Sequence, residues 1–434
     1  MKSHKSEETV PQSVMRQLRP HRTTSSLHQM YVSTRSVVQD FGYSFRNLFF
    51  DQTILVDGDI KVWICGKFFE SSKPFYKIWN ALARMTYRRN WPDPFISPRT
   101  GIVFDSDTGW GCTVRCAQML LAKVCEDKSV SLYSDEKNSV FGIHAFLAKA
   151  PNLCADWAGP TSISLIVRDL VGSNRPSLGT ILSTDGFIPL EEIVHASSFD
   201  EFSSSSSLEA SPRSAGGFVD LGLLVPTVRS TDMGEEVWFI DEQENCCPTP
   251  PRRETRVEEL KTPVLDKLIM FWQRPVLVTV AIRLTPDDNL PHALIRPLLA
   301  YMTLPSFAGM LGGPDRRCHY IVGFITELLE DEDQPVTSFL AIDPHVVQEA
   351  VSLSTDASVA FANSMHPSRI SPESICPTIS LSFVVRSESE LDLLKSQLEE
   401  IKNSCPESFC VVGSNHQSTR QKSLDQIVVL ENSF

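Results

Sequence analysis

Cys112 follows the sequence Gly-Trp-Gly at the start of a predicted helix, where a thiol can become a nucleophile. The thiolate is the reactive form, and an ordinary thiol ionises near pH ~8.5. Flanking glycines let the backbone turn tightly into the helix. The unpaired N–H groups and the positive dipole end there favour the thiolate. The carboxylates of Asp105 and Asp107 oppose this effect if they point inward.

Two other interpretations of Cys112 stay open on sequence grounds. Cys112 and Cys116 form a C-x₃-C pair on one helical face, which could hold a metal. No second Cys/His pair in the ordered sequence has zinc-like spacing, so a metal site is disfavoured. Burial in the core is the ordinary fate of a helical cysteine, and it suits Cys116 well.

A nucleophilic cysteine needs a base, and the base needs a group that orients it. The sequence Ala-Ile-Asp-Pro-His at 341–345 offers both. Asp343 and His345 lie two residues apart, hence on one side of an extended chain, and Pro344 stiffens the link. A carboxylate could then hold one ring nitrogen while the other faces Cys112. Taken alone, the same residues also fit a strand-ending turn with two exposed polar side chains.

The composition bounds the class of protein that must position these residues. The chain has 434 residues, 42% hydrophobic and 21% charged, which is typical of one large globular domain or two smaller ones. A net charge of −13 argues against a general nucleic-acid binder. No secretory signal or membrane-length apolar run is present, so we expect a cytoplasmic protein whose eleven cysteines are reduced.

Composition shifts along the chain predict its organisation. Residues 1–50 are basic and Ser-rich and are predicted to be a disordered lead-in. One folded domain is expected over 51–400, interrupted at about 197–260 by a low-complexity insertion, with a flexible tail over 401–434. Within the insertion, the aromatic stretch VWFI at 237–240 lies among acids and suits either a docking motif or a packed loop.

Hydrophobic periodicity predicts an α+β fold in which the helix that begins at Cys112 packs on an antiparallel sheet. Strands are expected over 61–66, 180–183, 276–282, 320–325, 338–342 and 379–385. Helices are expected over 68–88, from Cys112 onward, and over 162–171, 263–272 and 388–401.

Several motifs together resemble one family, the autophagins, which are the cysteine proteases that process the ubiquitin-like modifier of autophagosome membranes. The resemblance covers most of residues 50–385. Its motifs are VWICG (62–66), YRRNWP (87–92), the run from Asp105 to Met119 with GWGC at its centre, WAGP (157–160), GG (312–313), HYIVG (319–323) and DPH (343–345).

The resemblance implies a papain-like fold with a small auxiliary subdomain, and it assigns roles residue by residue. Cys112 matches the nucleophile, His345 the general base and Asp343 the acid that orients it. Tyr87 matches a tyrosine that stabilises the oxyanion together with the Cys112 backbone N–H. Trp157 matches a tryptophan that lies over the substrate groove. No cofactor or metal is implied.

The implied reaction is cleavage of the modifier after a C-terminal glycine, which exposes that glycine for conjugation to phosphatidylethanolamine. The family also removes the lipid again. The expected partners are therefore the modifier precursor and its lipid-linked form, with transient contact to a membrane surface and no nucleic acid. A narrow groove under an aromatic roof would select glycine, because any side chain would clash.

One loop departs from the family pattern. The regulatory loop, which includes Gly313, Pro314, Asp315 and Arg316, has a shifted proline and two added arginines. The departure motivates two alternatives: a protease-like scaffold that binds the modifier but cuts it poorly, and a peptidase for another ubiquitin-like protein. Cys318 and His319 follow these arginines. His319 is expected to be a structural histidine near the site, and Cys318 a candidate for oxidation.

Overall fold

The fold is taken from a computed structural model, and it describes residues 60–98, 100–154, 158–198, 272–288, 290–315, 317–327 and 335–413. The predicted lead-in 1–50, Trp157, Arg316 and the stretch at 237–240 lie outside these ranges. So do almost all of the predicted insertion and of the predicted helix 263–272.

Short strands occur throughout the chain, and the long ones lie in its second half. The strands are β1 (Lys61–Ile64), β2 (Lys67–Phe69), β3 (Tyr87–Arg89), β4 (Phe95–Ile96), β5 (Val103–Phe104), β6 (Gly179–Ser183), β7 (Phe187–Pro189), β8 (Val276–Arg283), β9 (Phe307–Gly312), β10 (His319–Glu327), β11 (Val336–Ile342), β12 (Val347–Glu349), β13 (Ser368–Ile370), β14 (Thr378–Val385) and β15 (Val411–Gly413).

The helices lie mostly in the first half of the chain, with one long helix near its end. They are α1 (Ser72–Trp79), α2 (Cys112–Val124), α3 (Val130–Tyr133), α4 (Ile143–Lys149), α5 (Pro160–Asn174), α6 (Leu190–Ser197), α7 (His292–Met302), α8 (Ala357–Ala360) and α9 (Glu388–Ser404). The predicted helices at Cys112, 162–171 and 388–401 are confirmed.

The central sheet has the strand order β13-β11-β10-β9-β14-β8-β6, with β1 and β2 attached through β10. Its strand pairs are antiparallel except for β6 and β8, which run parallel with Gly179 opposite Val276. The predicted antiparallel sheet is therefore correct for most pairs and wrong for this one. A parallel pair needs a crossover connection, and the long chain segment between β6 and β8 supplies it.

The sheet carries a hydrophobic core on each face. Along β11, Leu340 and Ile342 point into the core that contains α2 and α5, whereas Phe339 and Ala341 point into the core that contains α7 and α9. Because both faces are covered, the central strands appear in the sequence as continuous apolar runs. Helices layered on a mixed sheet confirm the α+β class.

Helix α2 is buried along almost its whole length and packs on β9 and β10. Lys123 is its one residue that is not fully buried. The predicted packing of this helix on the sheet is therefore confirmed, and the helix is enclosed by the protein core.

The predicted helix over 68–88 is confirmed only over Ser72–Trp79, and its bounds are wrong on both sides. The chain there forms β2, the short α1 and then β3, which pairs in parallel with β12 so that Tyr87 lies opposite Val347. Pairing with a strand about 260 residues away overrides the local helical pattern, as tertiary contacts often do.

The predicted start of the flexible tail, at residue 401, is too early in the chain. Helix α9 continues to Ser404, and β15 then pairs in parallel with β7. Cys405 and Cys410 are buried, and the Tyr301 hydroxyl accepts hydrogen bonds from the backbone N–H groups of Phe409 and Cys410 at 3.1 Å each. Residues 401–413 thus belong to the folded domain.

No helix in the described ranges combines the length and the apolar character that a membrane crossing requires. Each cysteine in those ranges is a free thiol.

Candidate active site

Cys112 is the first residue of α2, and the tight turn before it depends on two glycines. Gly109 has a φ of +83°, a conformation that favours glycine. A Cβ on Gly111 would lie 2.3 Å from Asp107 Oδ2, so this position needs a residue without a side chain. The turn leaves Cys112 2% exposed, with its side chain at the positive end of the helix dipole.

Asp107, the nearer of the two acids before the helix, binds a buried arginine. Its two carboxylate oxygens lie 2.8 and 3.1 Å from the Arg115 guanidinium, and Oδ1 also accepts the Arg88 backbone N–H at 2.7 Å. Arg115 reaches Asp135 as well, at 2.8 Å. Asp105, by contrast, is exposed. Asp107 therefore does not present an unpaired negative charge that would oppose the thiolate form of Cys112.

This buried ion network is a feature that sequence analysis missed. It joins the start of α2 to β3 through Arg88, and to residue 351 through Asp135, whose carboxylate accepts the Val351 N–H at 2.8 Å. A sequence signal was present, since an arginine in the first turn of a buried helix calls for an acidic partner.

His345 and Asp343 follow the end of β11 and are hydrogen-bonded to each other. The His345 Nδ1 lies 2.6 Å from Asp343 Oδ1, and the His345 backbone N–H donates to the same oxygen at 2.8 Å. Burial alone would raise the pKa of the Asp343 carboxyl, but the bonds from His345 hold it well below its usual range. The carboxylate therefore stays charged and fixes the orientation of the ring.

Cys112 and His345 stabilise each other's charged forms. Burial would raise the pKa of the Cys112 thiol, yet the hydrogen bond and the charge of His345 lower it below the ordinary value. Burial would likewise lower the pKa of His345, and the bonds to Asp343 and Cys112 raise it instead. The favoured state is a thiolate beside an imidazolium, and a thiolate is the reactive form of a cysteine.

The parallel pairing of β3 with β12 brings Tyr87 next to His345 and Cys112. Its ring meets His345 edge-on with 5.5 Å between ring centroids, and its backbone N–H donates to the Pro344 carbonyl at 3.1 Å. A hydrogen bond from the Tyr87 side chain also helps to lower the pKa of Cys112. The phenol is therefore positioned beside the sulfur.

The described residues of the loop, 313–315 and 317–318, make backbone contacts at and beside the site. A backbone hydrogen bond from Cys318 helps to lower the pKa of Cys112. The Gly313 carbonyl accepts the Cys376 N–H at 3.0 Å, and Pro314 accepts the Arg317 N–H at 2.8 Å. Asp315 adopts a left-handed φ of +51° at the exposed tip. The loop therefore reaches the Cys112 sulfur through the backbone of Cys318.

His319 lies beside Asp343 and His345, as the sequence predicted for a histidine near the site. Its Nε2 is 3.7 Å from Asp343 Oδ1, and its ring centroid is 4.9 Å from that of His345. Burial lowers the pKa of His319 to about 4, so the ring is neutral at physiological pH.

Cys116 is a core residue. Its thiol donates to the Cys318 carbonyl at 3.4 Å, and burial raises its pKa well above the ordinary value. The proposed C-x₃-C metal pair is thus not the arrangement found. The group that the described ranges do offer for a metal is His319, Asp343 and His345.

Comparison with known proteins finds similarity to one family of cysteine peptidases. The model of the peptidase C54 catalytic domain matches residues 72–397. The protein named cysteine protease ATG4B from Gallus gallus is 23% identical over 372 residues, covering 78% of this chain and 80% of the relative. The cysteine proteases ATG4A from Mus musculus and Homo sapiens are 23% and 22% identical over 367 residues, covering 77% of each chain.

Proposed function

This chain belongs to the peptidase C54 family, the autophagy-related cysteine proteases, and we propose that it processes a ubiquitin-like autophagy modifier. It cleaves the modifier precursor after a glycine near the C-terminus, and it releases the same glycine from phosphatidylethanolamine. Cys112 is the nucleophile, His345 the general base and acid, and Asp343 the group that orients His345.

The first step forms a thioester. The Cys112 sulfur attacks the glycyl carbonyl carbon, and the C–N bond to the departing segment breaks. His345 gives its proton to the leaving nitrogen, which departs as a neutral amine. Because the thiolate and imidazolium already exist before substrate arrives, no separate proton transfer is needed to activate the sulfur.

The negative charge that develops on the carbonyl oxygen needs donors. The Cys112 backbone N–H is free of an intrahelical partner at the first position of α2, and the Tyr87 phenol is the second proposed donor. Both donors are held by buried elements, so they lose little free energy in reorganising during the reaction.

The second step releases the modifier. His345 takes a proton from water, the water oxygen attacks the thioester carbonyl, and the Cys112 thiolate leaves. The product is the modifier with a free glycine carboxylate. The peptide and the ethanolamine of the lipid are both attached through an amide nitrogen, so one chemistry serves both substrates. The lipid-linked substrate also brings the protein to a membrane surface.

The observation that carries the proposal is the 2.6 Å contact between His345 Nδ1 and Asp343 Oδ1, together with the interaction of His345 with Cys112 that shifts the pKa of both groups. The scaffold alternative requires a site without an activated thiol. The mutual shifts of the Cys112 and His345 pKa values favour the enzyme over that alternative.

The test follows the mass of a modifier precursor that carries residues beyond its glycine. We expect wild type to shorten the precursor at the glycine, and Cys112→Ala to leave it intact. His345→Ala should be nearly as inactive, by about 10³-fold or more, because nucleophile and base act as a unit. A matched control is Cys125→Ala, since Cys125 lies at the far end of α2.

Two outcomes would overturn the proposal. Turnover that survives in Cys112→Ala would move the nucleophile elsewhere. Binding of the precursor without cleavage by wild type would favour the scaffold. Cleavage of a different ubiquitin-like precursor in place of the autophagy modifier would keep the chemistry and change the substrate.

A further inference from the structure

His319 presents an unshared lone pair to a carboxylate. Its Nδ1 lies 3.1 Å from the Arg317 carbonyl oxygen, which can only accept, so Nδ1 carries the proton of the neutral ring. Nε2 is then an acceptor, and it lies 3.7 Å from Asp343 Oδ1, which is also an acceptor. Two acceptors that face each other at this distance are stabilised by a cation between them.

A third ligand atom completes the group. His345 Nδ1 lies 2.6 Å from the same carboxylate oxygen, and the ligand atoms of His319, Asp343 and His345 all lie within 4.8 Å of one another. Two imidazoles and one carboxylate are a donor set that Zn²⁺ uses in proteins. Ligands around tetrahedral zinc, with bonds of about 2.0–2.1 Å, are about 3.3 Å apart. The distances of 3.7 and 2.6 Å lie on either side of that value, so metal binding draws His319 toward Asp343 and moves His345 away from it.

We propose that His319, Asp343 and His345 form a binding site for Zn²⁺ or a similar divalent transition metal. The metal takes the place of the proton on His345 Nδ1, and that proton passes to solvent. Metal binding breaks the hydrogen bond between His345 and Asp343, so the bound form is inactive. This inhibitory consequence rests on the proposed function, whereas the binding itself does not.

The surroundings support a metal ligand at His319. Ligating histidines commonly donate their other ring N–H to a backbone carbonyl, as His319 does to Arg317. Gly313 makes room for this contact, because a Cβ there would lie 2.0 Å from the Arg317 oxygen and 2.7 Å from His319 Nδ1. The Asp343 side chain is 23% exposed while the two histidines are nearly buried, so an ion can enter past the carboxylate.

The binding test uses the full chain with Cys112→Ala, so that the reactive thiol cannot hold the metal. The adjacent pair Cys246 and Cys247 is changed to serine for the same reason. Co²⁺ is titrated as a spectroscopic probe, and Zn²⁺ affinity is measured by competition. We expect one site with tetrahedral absorption, and an affinity that falls by about tenfold or more in His319→Ala.

Controls separate this site from general metal binding. His195→Ala removes an exposed histidine on α6 and should leave the affinity unchanged. His319→Gln, which nearly keeps the side-chain size, guards against a folding defect, and circular dichroism verifies each variant. With Cys112 restored, Zn²⁺ should inhibit precursor cleavage reversibly on chelation, and less strongly when His319 is replaced.

Two results would overturn the proposal. The first is absence of Co²⁺ or Zn²⁺ binding to the Cys112→Ala protein at micromolar metal. The second is equal affinity with and without His319, which would place the metal on other residues. The Co²⁺ titration needs no substrate, so its outcome is readable even if the protein cleaves no modifier.

Discussion

At the scale of single residues, Cys112 and His345 interact through charge, and each shifts the pKa of the other from its ordinary value. The pKa of the thiol lies below its usual value because His345 is hydrogen-bonded to it and charged. The pKa of His345 lies above its usual value because Asp343 and Cys112 hold its proton. The ion pair therefore exists in the pH interval between these two pKa values.

This interval predicts the pH dependence of alkylation at Cys112 in the metal-free protein. In chelator, we expect the iodoacetamide rate at Cys112 to reach its plateau below pH ~8.5, the ordinary thiol pKa. In His345→Gln the rise should move to higher pH, since burial then acts without the opposing charge. Peptide mass spectrometry gives the rate at each cysteine.

Cys125 serves as an internal control in the same experiment. Burial raises its pKa, so its alkylation should rise at higher pH than that of Cys112 in wild type and be unaffected by His345→Gln. A wild-type Cys112 midpoint at or above the ordinary thiol value would contradict the ion pair.

At the scale of elements, the position of Cys112 depends on how α2 begins. The turn before it carries Asp107, which binds Arg115 one turn into the helix and the backbone of β3. Gly111 packs against that carboxylate with no space for a side chain. Cys112, the proposed nucleophile, is thus placed by a buried ion network at the start of α2.

Gly111→Ala should destabilise the protein and misplace the nucleophile. The new Cβ would lie 2.3 Å from Asp107 Oδ2 and 2.5 Å from Asp107 Cβ, and Arg115 prevents the carboxylate from moving aside. Overpacking of this kind costs about 1–3 kcal/mol. Urea unfolding measures the loss, and slower Cys112 alkylation reports the misplacement.

Gly172→Ala is the matched control, because no atom lies within 4 Å of its added Cβ inside α5. Its effect should be a gain of about 0.5–1 kcal/mol, since alanine favours the helix. Equal unfolding midpoints for Gly111→Ala and wild type would show that the contact with Asp107 does not constrain the turn.

At the scale of the whole molecule, the C-terminal end of the described domain is joined to the middle of the chain through strand pairing and one tyrosine. β15 pairs with β7, and the Tyr301 hydroxyl on α7 accepts two backbone N–H groups from residues 409 and 410. Residues 405–413 therefore contribute to the core that lies on the α7 and α9 face of the sheet.

Two truncations test this contribution. A chain that ends after Gly413 is the reference, because it keeps every residue of β15. A chain that ends after Ser404 should melt lower, by about 2–4 °C for each kcal/mol lost. In the full chain, Tyr301→Phe should cost about 1–3 kcal/mol, because the buried N–H of Cys410 and the half-buried N–H of Phe409 lose their acceptor. Identical melting of the two truncated chains would mean that β15 adds no stability.

The sequence by itself determined which residues are candidates for chemistry and most of the local elements around them. Cys112 after Gly-Trp-Gly and the Asp343-Pro-His345 spacing are short-range patterns, and apolar periodicity located α2, α5, α9 and the long strands. Such patterns succeed because helix starts, strand alternation and side-chain spacing are set by residues close together in the chain. Motif resemblance identified the family.

Only the tertiary structure decided which distant residues meet. It chose Asp107 over Asp105 as the partner of Arg115, brought Tyr87 to His345 through β3 and β12, and made β6 run parallel to β8. It also placed His319 against Asp343. Most of these contacts join different elements of the fold, and they form because packing in a shared core outweighs local preference.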